Sequence, residues 1–194
     1  VHHQLDKEEW MSKRIIAVSL VLILFGALGA FATEQKSKTF PWMATYDRTG
    51  QLNLYASVGW YGYGLDVVVG PEFIISSFDL AGIPLSFGVS MRGMVGFGSF
   101  LGYAAWIDWG VAPLATLHWG VDLGSILKFD WYAGLGLGIN GTTGTYWAWP
   151  GGIGFGFASF DGIAWHFSDN LALVLEYAYN GYASMGGIGV ELSL

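Results

Sequence analysis

The sequence predicts an all-β fold, an eight-stranded antiparallel up-and-down transmembrane β-barrel. Three observations predict it. The first is the stretch Ile126 to Asn140, ILKFDWYAGLGLGIN. Leu127, Phe129, Trp131, Ala133, Leu135, Leu137 and Ile139 are apolar, while Lys128, Asp130, Tyr132, Gly134, Gly136, Gly138 and Asn140 are polar or small. A period of two is a strand with two unlike faces. Its length exceeds the usual strand of about 5–6 residues and suits a bilayer crossing, which needs roughly 9–11. The second is the placement of charge. Asp66, Glu72, Arg92, Asp108, Lys128, Asp130, Glu176 and Glu191 each fall on the side opposite the large apolar residues of their own strand. On a lipid face near the midplane a basic residue costs about 2–4 kcal/mol and an acid less. A soluble sandwich also clears one face of charge, but its other face would be far richer in charge than this glycine, alanine and serine surface. The third is composition: 12% of residues are charged and 17% aromatic, with 30 glycines, against about 25% charged in a soluble domain.

Taken in order, Val1 to Trp10 is polar and matches nothing that follows, as an upstream start artefact would. Met11-Ser12-Lys13-Arg14, the apolar run Ile15 to Leu28 and the triplet Ala30-Phe31-Ala32 read as a secretory signal, residues 11–32, cleaved after Ala32. An uncleaved anchor is the competing reading of that run. Residues 33–50 lack alternation and form an N-terminal extension with no assigned function. The barrel occupies 51–194.

Leu52 to Tyr61 is the first strand. A second runs from about Leu65 to Ile75, with a bulge or bend expected at Pro71. Asp79 to Pro84 is a turn region. Leu85 to Phe97 is the third strand, and Tyr103 to Trp119 the fourth, with Pro113 a second irregularity. The fifth strand leads into the longest loop, Gly141 to Pro150. Ile153 to Phe167 is the sixth, with a bulge expected near Asp161-Gly162. Ser168-Asp169-Asn170 is a tight turn before the seventh, Leu171 to Tyr179, and Met185 to Leu194 is the eighth. The connections are too short for parallel crossovers, so a meander follows.

Two groups of aromatics fit two headgroup levels. Trp60, Phe97, Trp109 and Tyr179 gather at one end, and Phe87, Trp119, Phe129, Trp131, Trp165 and Phe167 at the other. With an even strand number, both termini are expected on the periplasmic side of the outer membrane of a double-membraned bacterium. Outer-membrane lipid and the barrel-assembly machinery are then the expected partners. The net charge of −7 and the lack of a basic cluster argue against nucleic acid. The absence of cysteine excludes disulfides, thiol catalysis and Cys-zinc sites. No cofactor or metal is implied.

From about Gln51 to Leu194 the chain resembles the OmpA/OmpX/OmpW-like superfamily of eight-stranded outer-membrane barrels, and OmpW most. The residues that carry the resemblance are GIAWHFSDNLALVLEYAYNG, Gly162 to Gly181, and the last strand GGIGVELSL. Ile188, Val190, Leu192 and Leu194 resemble a C-terminal assembly signal, although that signal commonly ends in an aromatic. The resemblance implies passage of small hydrophobic molecules.

For function, the decisive list is what points inward. The eight charges above are the candidate lumen lining, net acidic, among many inward glycines that either clear a bore or permit curvature. One reading is a narrow passive channel for small solutes, with Pro71 and Pro113 breaking ladder bonds where the wall could part. The alternative is a non-conducting barrel that binds host surface or matrix molecules through Tyr146, Trp147 and Trp149 of the long loop. A lipid-modifying enzyme is the least supported, because His118 and His166 have inward parity and no Ser/His/carboxylate set stands on the outer rim. No catalytic residue is assigned.

Overall fold

A computed structural model describes residues 48–61, 64–80, 83–100, 104–122, 128–144, 152–180 and 184–194. The expectations for the leader and for most of the extension lie outside these residues. So does the aromatic loop with Tyr146, Trp147 and Trp149.

Eight strands follow one another: β1 (Leu52–Tyr61), β2 (Gly64–Leu80), β3 (Ile83–Phe100), β4 (Ala104–Asp122), β5 (Lys128–Gly144), β6 (Gly152–His166), β7 (Leu171–Tyr179) and β8 (Ser184–Ser193). Each pairs antiparallel with the next and β8 pairs with β1, closing the barrel. Following paired residues round the ring links Leu194, Leu52, Phe73, Val89, Ala115, Leu135, Ser159, Tyr179 and Ser184. The circuit starts at residue 194 and returns to β8 at 184, a shear of ten residues. With 3.3 Å per residue and 4.8 Å between strands, that shear gives a tilt of roughly 40° and a backbone radius of roughly 8 Å. Side chains of ordinary size fill such a bore.

Burial follows the alternation. In β7 every second residue, Ala172, Val174, Glu176 and Ala178, is buried, while Leu171, Leu175, Tyr177 and Tyr179 are exposed. The outward band of Leu54, Val67, Val89, Val111, Leu135, Ile163 and Val190 is apolar and exposed, a surface that water would disfavour and hydrocarbon accepts. Rings border it at the proximal end, where β1 begins and β8 finishes. There Trp119 meets Trp131 edge-on at 6.5 Å, Phe129 stacks on Trp165 at 6.2 Å, and Trp165 meets Phe167 at 5.3 Å. The tight turn is as expected, with Ser168 Oγ accepting from the Leu171 N–H at 3.1 Å. Asn170 ties it to β8 by donating to the Ser193 carbonyl at 3.0 Å.

Several expectations are corrected. The Asp79–Pro84 region is ladder almost to its tip, since Asp79 pairs with Pro84 and Leu80 with Ile83. β5 continues to Gly144, into the stretch expected as loop. The register shift in β2 falls between Ile74 and Ser76, not at Pro71. Pro71 and Pro113 remove ladder pairs locally, yet Glu72↔Ser90 and Leu114↔Gly136 resume the same registers. A missing N–H costs one bond and needs no extra residue, so no bulge results. Nor is there a bulge at Asp161-Gly162, because Asp161 pairs with Ala133 and Tyr177, and Gly162 with Tyr132 and Glu176, in unbroken register. Asp161 is therefore exposed on the outer face. It is the one charge pointing that way among the described strand side chains.

Candidate functional site

The lumen holds nearly all the predicted charges, arranged in layers. In the proximal layer Arg48 reaches in from the turn that precedes β1. Gly50 gives that turn its shape with a φ of 83°, a left-handed conformation that suits glycine. Gly50 N–H donates to the Ile74 carbonyl at 2.9 Å, and Ile74 N–H to the Gln51 carbonyl at 3.0 Å, so the turn is stitched under β2. The guanidinium of Arg48, a residue 3% exposed, is hydrogen-bonded and ion-paired to Asp130 of β5 and Glu191 of β8. His118 of β4 lies between two carboxylates, with Nδ1 2.7 Å from Asp130 and Nε2 2.9 Å from Glu72. Carboxylates only accept, so forming both bonds requires a proton on each ring nitrogen. One network thus ties β2, β4, β5, β8 and the entry turn together across the proximal mouth.

The middle layer is aromatic and cationic. Arg92 of β3 lies 4.1 Å from the Tyr55 ring centre and 4.6 Å from that of Phe160. Its Nη2 is 3.6 Å from Glu176. Tyr132 donates to Glu176 at 3.0 Å and stacks under His118 at 5.6 Å, which joins the two layers. Tyr55, Tyr132, Phe160, Ile74 and Val174 are all buried. Such a stack has the character of a packed core rather than of a conduit.

The distal part is less polar. Asp66 and Asp108 are buried and stand on either side of Gly96, which pairs with both. Asn140 donates to the carbonyl of Asn180, so the end of β7 bends across toward β4 and β5. Beneath Asn180 is a cavity of about 30 Å³, walled by Met94, Ala112, Leu114, Ala158 and Ala178 with Arg92 at its floor.

The predicted lining residues therefore divide. Glu72, Asp130 and Glu191 come together in the proximal layer, Arg92 and Glu176 in the middle one, and Asp66 and Asp108 remain apart above them. Lys128, expected low in the lumen, sits at the proximal rim, 3.5 Å from the exposed Asp169 of the tight turn. Arg48 was missed by the sequence reading. Its signal was slight: a basic residue four positions before an Asn-bearing strand, in a chain with 8 lysines and arginines.

No family model matches the chain, and no curated protein matches it. Among solved structures it is similar to Ail, the attachment invasion locus protein of Yersinia pestis, at 10% identity and a TM-score of 0.48, covering 75% of this chain and 99% of that one. It is also similar to the outer membrane enzyme PagL, at 13% identity and a TM-score of 0.48, covering 72% and 98%. The N-terminal β-barrel domain of Pseudomonas aeruginosa OprF follows at 14% identity and a TM-score of 0.46, covering 75% and 98%. At such TM-scores the fold assignment rests on the closed ring of strand pairs.

Proposed function

We propose that this protein is an outer-membrane barrel with a closed lumen, which works through its distal rim by binding host surface or matrix molecules. The observation that carries this reading is the pair of stacked layers, Arg48–Asp130–His118–Glu72 and Tyr132–Glu176–Arg92, drawn across a bore of roughly 8 Å backbone radius. To conduct, two buried arginines would have to leave their carboxylates. In this reading the Arg48 end faces the periplasm, the outward band meets outer-membrane lipid, and the chain enters the membrane by way of the barrel-assembly machinery. The tall side of the rim supplies the contact surface. Among the described residues β6 extends past its last pair with β7, Ser159↔Tyr179, and exposes Ile153 and Phe155 there. The protein is not an enzyme in this reading, since His118 is held between carboxylates deep inside.

A second reading keeps an OmpW-like passage for small, hydrophobic solutes, with Arg48 as a stopper. It is favoured by the cavity above Arg92 and by the ladder pairs missing at Pro71 and Pro113. Recording from the refolded protein in planar bilayers separates the two. A silent wild type and a silent Arg48→Ala variant agree with the closed surface barrel. Discrete openings in the wild type overturn it, and openings confined to Arg48→Ala establish the stopper.

A further inference from the structure

Asp161 stands in a polar patch on an otherwise apolar wall. Between the two levels of rings, three polar side chains are described on the outer face: Ser159 and Asp161 of β6 and Tyr177 of β7. They are neighbours, since Asp161 pairs directly with Tyr177 and Ser159 is the next outward residue of β6. With the rise, spacing and tilt above, Asp161 lies roughly 10 Å from the level of Trp165 and roughly 14 Å from that of Trp109, reached through Ile153 and Gly141. Tyr177 is about 3 Å and Ser159 about 5 Å farther toward the distal end. In the proposed placement the patch is close to mid-membrane, where lipid tails offer no donor. Asp161 is exposed and Tyr177 is 50% exposed, and among the described residues neither makes a hydrogen bond. The other strand partner of Asp161 is Ala133, whose methyl group leaves the carboxylate uncovered on that side.

We propose that this patch binds a second copy of the chain, with Tyr177 of each copy donating to Asp161 of the other. An ionisable side chain at this depth marks a functional contact and calls for a named partner. A two-fold interface must be self-complementary, so that each residue meets the same pair from both sides. The patch meets that condition, because its acceptor and its donor sit on adjacent strands. An axis along the membrane normal between β6 and β7 sets β7 of each copy opposite β6 of the other. Such an axis keeps the two copies at equal depth, so Tyr177 stands about 3 Å distal to the Asp161 it meets, within reach of a tyrosine side chain. A different protein would need a donor of its own facing lipid at this level, and a cation there is costly. The second copy brings a tyrosine hydroxyl already in place. The inference rests on the proposed function only in taking the outward band to meet lipid. In vesicles dilute enough to hold one chain each, Asp161 faces lipid.

The test is sedimentation equilibrium of the full chain, refolded in density-matched zwitterionic micelles, over a range of protein-to-detergent ratios. The wild type should interconvert between one and two chains. Tyr177→Phe and Asp161→Leu should each raise the dimer dissociation constant by roughly tenfold or more. Combined, they should raise it no further than Asp161→Leu alone, since both remove the same bonds. Val67→Phe, on the wall opposite β6, should leave it unchanged. Asp161→Leu should be no less stable than the wild type as a single barrel in dilute vesicles, which separates lost association from lost folding. A wild type that stays monomeric at the highest loading overturns the proposal, as does a dimer constant unchanged in Tyr177→Phe or Asp161→Leu. Flotation with vesicles in a density gradient tests the lipid-facing band itself. A chain that floats and stays monomeric removes the dimer alone, and one that does not float removes the membrane reading together with it.

Discussion

Replacing Arg48 by alanine should destabilise the barrel by about 3 kcal/mol. Arg48 is ion-paired to Glu191, and it shares Asp130 with His118. Hydrogen bonds to charged groups are worth roughly 1.5–3 kcal/mol each, and those to Asp130, Glu191 and Gln51 are lost. Removing one partner of a buried ion pair typically costs about 3–5 kcal/mol. Water entering the proximal mouth will solvate part of the abandoned charge, which puts the expectation at the lower end. Equilibrium urea unfolding in lipid vesicles, followed by tryptophan fluorescence, measures it. With a slope of about 2 kcal/mol per molar urea the midpoint should fall by about 1.5 M. The double variant Arg48→Ala/Glu191→Gln should recover part of the loss, because the uncompensated carboxylate is then gone. If Arg48→Ala unfolds within about 0.5 kcal/mol of the wild type, the proximal network does not hold the entry turn and the argument fails.

Two further substitutions test the inner and outer faces. Tyr132→Phe removes the hydroxyl that donates to Glu176 and leaves that carboxylate with Arg92 at 3.6 Å; a loss of about 1.5–3 kcal/mol is expected in the same unfolding assay. Asp161→Leu should have the opposite sign. Asp161 lies four residues distal to Trp165 on the outer face, roughly 10 Å along the barrel axis at the tilt above, which the proposed reading places in hydrocarbon. Removing a lipid-facing acid should raise stability by on the order of 1 kcal/mol, and a destabilised Asp161→Leu would mean that the carboxylate faces a partner rather than lipid.

The strands were legible because the two-residue period is local. β1 spans the expected Leu52–Tyr61, and the parity of Asp66, Arg92, Asp130 and Glu176 survives in the barrel. What was not legible depends on pairs between distant residues. Arg48 precedes the periodic region, and nothing in its neighbours says that Asp130 and Glu191 await it. Asp161 broke the inward-charge rule, and a bulge was the local remedy, but the unbroken β5–β6 and β6–β7 registers leave the charge outside. The true shift in β2 had no local mark, since Ile74 is buried and Ile75 exposed as plain alternation also gives, and the register moves only after Ile75. Pro71 drew attention away because a missing donor is easier to see than an extra residue.

The inward glycines carried the question of bore against packing, and at two of them the register favours packing. Gly162 pairs directly with Tyr132, and Gly134 with Phe160. A methyl group on either glycine would run into the partner's ring. Each glycine is thus the seat on which a neighbouring ring lies flat, the cross-strand arrangement by which aromatics compensate a bare backbone. Counting glycines along one strand registers space. Only the pairing shows that the strand beside it has spent that space on Tyr132 and Phe160. These two rings complete the middle layer, one bonding Glu176 and the other covering Arg92. At these two positions the glycine pattern that makes a pore conceivable supports, through its register, the closed lumen proposed above.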